Sequence, residues 1–152
     1  MVKWFLLERA VVIALLHQYS LWLRIDPAIT VAIAEVESNF NPRAIGDQGQ
    51  SYGVMQLHLQ GAGAGHDPHE LLNFQTNIEL GVNYLQRCLA AAGYLLDDAV
   101  SAYNQGISGW QMRGRSVNQG YVDKVMERYS HYTANPPERL VAEYVVEALL
   151  GD

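Results

Sequence analysis

The chain has 152 residues, 49% of them hydrophobic and 17% charged, with a net charge of −6. That length suits one domain that buries roughly 68–70% of its unfolded surface, and the composition excludes a disordered chain. The acidic balance excludes the basic face of a nucleic-acid binder, and the lone Cys88 excludes an intrachain disulfide.

Helical periodicity runs through most of the chain, and no stretch alternates as a strand would. Residues 4–22 read as an amphipathic first helix. Its apolar run, Ala10 to Leu16, is too short to span a bilayer and is preceded by Glu8 and Arg9 rather than followed by a cleavage site. Asp26-Pro27 starts a second helix, which Asn41-Pro42 stops after Phe40. Residues 43–66 are rich in Gly, Gln and Ser and read mostly as loop, with Val54 to Leu59 as a short helical or extended piece. Asp67-Pro68 starts a short turn. A longer helix then aligns Ile78, Val82, Leu85 and Leu89 on one face, with Cys88 as a packed free thiol beside them. Leu95 to Asn104 is a further core helix, residues 106–116 a Gly/Arg/Ser loop, and Val117 to Tyr132 another helix. After Asn135-Pro136-Pro137, residues 138–149 form an amphipathic helix expected to pack back on the domain.

Two carboxylates, Glu35 and Glu37, lie near the end of the second helix. Ile29, Ile33, Val36 and Phe40 cluster on one side, which places Glu35 toward solvent and Glu37 on the flank of the apolar stripe. A carboxyl held half out of water has a raised pKa, as a general acid requires. Helix position alone leaves Glu37 equally readable as an ordinary surface glutamate.

The surrounding segments add more. Glu37-Ser38 leads through Gly46-Asp47-Gln48-Gly49-Gln50-Ser51-Tyr52 to Gly53-Val54-Met55-Gln56. Asn77-Ile78-Glu79-Leu80-Gly81-Val82-Asn83-Tyr84-Leu85, Ala102-Tyr103-Asn104-Gln105-Gly106 and Tyr121-Val122 follow in order. Over about residues 25–130 this series resembles the soluble-type lytic transglycosylases of the lysozyme-like superfamily. The resemblance implies an all-α fold with at most a minimal β element, as a single lysozyme-like catalytic domain over residues 1–152.

It further implies a peptidoglycan lytic transglycosylase that needs no cofactor or metal. Glu37 maps onto the catalytic acid. It would protonate the oxygen between N-acetylmuramic acid and N-acetylglucosamine, then as a base take the C6 hydroxyl proton to close a 1,6-anhydro ring, assisted by the substrate's N-acetyl group. Gly53, Met55 and Gln56 map onto the cleft wall, where a glycine would let sugar approach backbone. Tyr103 and Asn104 map onto the facing helix, where the tyrosine hydroxyl would orient the acid or the N-acetyl group. Tyr121 maps onto another cleft tyrosine.

The loop before Gly53 is one residue longer than the usual pattern, which leaves open whether Ser51 takes the family serine's place. It also brings in Asp47, a local turn residue or a second acid. The latter would make the chain a hydrolytic muramidase, like goose-type lysozymes, using Glu37, Asp47 and water. A non-catalytic wall-binding part of a virion or secretion apparatus is a third reading. His58, His66 and His69 lack metal-ligand spacing and read as exposed loop residues, and the Gly61 to Gly65 tract as flexibility beside a groove. The expected partner is a peptidoglycan glycan strand, and the expected state a monomer without nucleic acid or membrane span. Met1, the closing helix and the absence of a clear signal suggest a complete chain made in a host cytoplasm as a phage endolysin, acting on the cell wall in the periplasm.

Overall fold

The computed structural model describes residues 1–151. Its helices are α1 (Trp4–Trp22), α2 (Pro27–Ser38), α3 (Pro68–Leu71), α4 (Phe74–Ala91), α5 (Leu96–Gln105), α6 (Ile107–Arg113), α7 (Gln119–Ala134) and α8 (Pro137–Leu150). Three two-residue strands, β1 (Ile45–Gly46), β2 (Ser51–Tyr52) and β3 (Leu57–His58), form an antiparallel sheet in that order. The register sets Ser51 opposite both Gly46 and His58.

Helix α2 is the axis of the domain. Asp26 caps it by accepting from the Ala28 amide at 3.0 Å, Pro27 occupies its first turn, and every residue from Ala28 to Ala34 is buried. Burial on all sides explains why this short helix is apolar nearly all round. Helices α1, α4, α5 and α7 supply the rest of one continuous core. A buried hydroxyl pair, Ser20 to Thr30 at 2.7 Å, joins α1 to α2.

Helix α8 runs antiparallel along α1. Lys3 meets Glu147 and the Ala148 carbonyl at one end, and His17 meets Glu138 at the other. The C-terminal helix therefore packs back on the domain, as its apolar stripe predicts. Among the described residues, no helix is long and apolar enough to cross a membrane. Cys88 is fully buried, and burial pushes its thiol up to about 12, which fits the packing role read from sequence.

One segment departs from expectation. Residues 106–116, read as loop, contain the seven-residue helix α6, followed by a 3-10 turn over Arg115–Asn118. Glycines weaken its local propensity, but tertiary bonds hold it in place. The Trp110 indole donates to Asp98 at 3.2 Å, and Arg113 donates to the Gln105 side-chain oxygen at 3.2 Å. Val54 to Leu59 resolves into a turn entering β3.

Candidate active site

A cleft of about 370 Å³ opens between the end of α2, the small sheet, α4 and α5. Six of the residues singled out from sequence line it: Glu37, Asp47, Ser51, Gln56, Tyr103 and Asn104. Tyr121 stands behind Glu37, and Gly53 and Met55 lie beneath the wall rather than on it.

The position of Glu37 is set by how α2 ends. Asn39 caps the helix in the left-handed region, and Phe40 follows with φ 62° and its ring buried. The hydroxyl of Ser38 donates to the Val54 carbonyl at 2.6 Å, fastening this last turn to the strand-bearing loop. Glu37 is half-buried with one hydrogen-bond donor on it: Tyr121 Oη reaches Oε2 at 2.8 Å. Burial pushes the carboxyl up to about 7, the Tyr121 bond pulls it down, and the charge of Asp47 pushes it further up. Tyr103 and Tyr121 are themselves held well above the ordinary tyrosine range, first by burial and then by the charge of Glu37, so both remain hydroxyl donors.

Glu35 corrects the sequence reading. Instead of facing solvent, it is half-buried against α7, where Arg128 and the Tyr132 hydroxyl (2.7 Å) both donate to it. Helical angle alone placed it away from the α2 stripe but carried no information about α7.

Asp47 enters the cleft from a run of three left-handed residues, with φ 49°, 56° and 88° at Asp47, Gln48 and Gly49. Two of these are not glycine, so the turn carries local strain held by its surroundings. The Ser51 hydroxyl donates to Asp47 Oδ2 at 2.5 Å and fixes the carboxylate's direction.

Three residues have roles unlike those expected. Gly53 does not offer its backbone to a ligand. Its φ is 81°, and a Cβ there would lie 2.3 Å from Asn77 Nδ2 and 2.7 Å from the Leu71 carbonyl. Met55 is fully buried, and its side chain rests on Gly81, where an added Cβ would meet the sulfur at 2.4 Å. Tyr103 does not hydrogen-bond Glu37 but donates to the Met55 carbonyl at 2.7 Å, tying α5 to the wall. Gln56 lines the cleft, yet its amide nitrogen is committed to the Ala44 and Gly53 carbonyls, both at 3.1 Å.

Sequence reasoning missed Asn77 as part of this construction. Buried at the start of α4, it donates to the Tyr52 and Leu71 carbonyls, both at 2.8 Å, and accepts from the Met55 amide at 2.9 Å. A polar residue opening an otherwise apolar helix face is the signal that marks it. Asn118 was missed as well. It donates to Asn104 Oδ1 at 3.0 Å while accepting from Ser101 at 2.6 Å and Gln105 at 3.1 Å. His58, Gln60 and Tyr84 complete the lining, and His58 is therefore not a plain loop histidine.

The Transglycosylase SLT domain family matches residues 15–124. A solved structure, the 70 kDa soluble lytic transglycosylase SLT70 from Escherichia coli, superimposes with a TM-score of 0.67 and 26% sequence identity. The match covers 84% of this chain and 25% of the SLT70 chain, so this chain spans about a quarter of that protein's length. With the family matched over more than half of its residues and the lysozyme-like fold shared, the chain belongs to the transglycosylase SLT domain family.

Proposed function

We propose that this chain is a peptidoglycan lytic transglycosylase acting at the cell wall, with Glu37 as its one catalytic acid and base. The observation that carries this reading is the cleft-lining Glu37, held near a pKa of 7 with Tyr121 on one oxygen only. A group with that pKa is both protonated and ionised in useful amounts at neutral pH, which suits a residue that first gives and then takes a proton.

In this mechanism, Tyr121 keeps Oε2 occupied, so the proton resides on Oε1 and faces the glycan. Its transfer to the glycosidic oxygen breaks the bond from N-acetylmuramic acid and releases the N-acetylglucosamine end as an alcohol. The muramic C6 hydroxyl then attacks C1 and gives its proton to the now ionised Glu37. The 1,6-anhydro ring closes and the acid is restored, with no water consumed. Asp47, fixed by Ser51, keeps Glu37 from ionising early. Asn104, steered by Asn118, and Gln56 present polar groups for sugar hydroxyls and N-acetyl groups.

The test is mass spectrometry of purified peptidoglycan digested with the full chain. Anhydromuramic ends are expected. Reducing ends would instead assign Asp47 to activating water and make the chain a muramidase. No cleavage by the native chain would leave the wall-binding reading. We place the reaction in phage-driven lysis; the expected outcome is that host cells lyse when the chain is co-expressed with a protein that opens the inner membrane, and survive with Glu37→Gln.

A further inference from the structure

Helix α1 leaves one whole face uncovered. At 100° per residue, Trp4, Leu7, Val11, Ala14, Gln18 and Leu21 fall along it at alternating steps of three and four, the seam pattern of a coiled coil. Trp4 is 74% exposed, Val11 47% and Leu21 50%, with Trp22 at 64% beside them. The opposite face, with Val12, Ile13 and Leu16, lies in the core. A helix apolar on all sides is ordinarily covered on all sides, and the domain covers only one.

Charge and register together select what covers the other. The ionisable groups of α1 are spent inside the chain. Glu8 pairs with Arg43, Arg9 donates to Asn39, and His17 pairs with Glu138. The exposed face is therefore uncharged, and it lacks the flanking cations that hold an interfacial helix on an anionic bilayer. Its pattern is also symmetric about the point between residues 12 and 13. When a second copy is turned end for end, Trp4 faces Leu21, Val11 faces Ala14 and Leu7 faces Gln18. Large side chains then meet smaller ones, and the helix dipoles oppose. A parallel pairing would stack Trp4 on Trp4 and Ala14 on Ala14, leaving one crowded layer and one void.

We infer that α1 is a dimerisation helix, which pairs antiparallel with α1 of a second copy of this chain. With two exposed tryptophans contributing, the face buries roughly 600 Å² per copy, at the lower edge of a standard specific interface. This replaces the monomer expected from sequence. No α1 residue lines the cleft, so both clefts stay open in the pair. The first eleven residues of the helix, 4–14, precede the family-matched segment, so much of this seam is this chain's own.

Sedimentation of the full chain from about 1 to about 100 µM is expected to pass from one to two copies, a range suited to an interface of this size. Val11→Glu, at an exposed position, is expected to stay a single copy throughout while keeping the native melting temperature. Register is read by cross-linking. Leu7→Cys mixed with Gln18→Cys is expected to form an intermolecular disulfide, and neither variant alone should do so, because like positions sit about 16 Å apart in the antiparallel pair. A single copy at every concentration overturns the inference, as does self-cross-linking of Leu7→Cys alone. Co-sedimentation of a single-copy chain with phosphatidylcholine vesicles overturns it in favour of a lipid surface. None of these readouts depends on glycan cleavage.

Discussion

The last turn of α2 holds two carboxylates, two residues apart, in opposite settings. Glu35 turns to α7 and is neutralised there by Arg128 with a second donor from Tyr132. Glu37 turns to the cleft, where its neighbours are a tyrosine and another carboxylate. A cation at hand makes a glutamate structural, whereas burial without one makes it a proton carrier. The difference comes from partners supplied by distant parts of the chain, since α2 itself treats the two residues alike.

Exchanging one oxygen for an amide at each position gives the largest expected contrast. Glu37→Gln is expected to lower formation of anhydro products on the order of a thousand-fold, about 4 kcal/mol in the barrier, with little change in fold. Glu35→Gln is expected to keep most activity and to lose about 1–2 kcal/mol of stability, because Arg128 loses its partner. Digestion rates and urea melts on both variants measure this. Equal loss of activity from both would end the distinction.

The cleft wall opposite Glu37 is the next most sensitive place. Gly53→Ala puts a methyl group against Asn77 at a φ of 81°, and is expected to cost about 3 kcal/mol in urea unfolding. If Gly53 instead served to let sugar reach the backbone, binding would suffer and stability would not.

Much of this frame was legible in the sequence. The range 4–22 for α1, the Asp26-Pro27 start of α2 and the core face of α4 follow from caps and periodicity, which are local signals. The ordered motifs located the cleft. They did not reveal what each motif residue does, because Gly53 and Met55 act through Asn77 and Gly81, contacts that exist only after folding. Two-residue strands are too short to show alternation. Helix α6 is held by Asp98 and Gln105 on α5, so its own residues, with Ser108-Gly109 among them, announce a loop.

Protonation links the cleft side of α2 to stability as well. The folded pKa of Glu37, about 7, lies above its ordinary 4.5, so the folded state binds this proton more tightly than the unfolded chain. That contribution is full below about pH 4.5 and is lost as pH rises through about 7, at most about 3 kcal/mol in all. Glu37→Gln removes the dependence. It is expected to be more stable than the native chain by about 2 kcal/mol at pH 8 and nearly equal to it at pH 4, in urea melts at the two pH values.

The smallest effect tests the partners of Glu37 against each other. A general acid must be protonated, so kcat/KM on soluble glycan is expected to fall as pH rises above about 7. Asp47→Asn removes a nearby negative charge and eases ionisation of Glu37, which moves that alkaline limb to lower pH. Tyr121→Phe removes the hydrogen bond that favours the carboxylate and moves it to higher pH. Shifts of roughly half to one pH unit in opposite directions are expected. Because both variants disturb the cleft, a drop in rate alone is uninformative, and the direction of the limb is what discriminates. Limbs that move together would mean that Asp47 and Tyr121 act on something other than the charge of Glu37. A limb unmoved by either variant would take Glu37 out of the titration altogether.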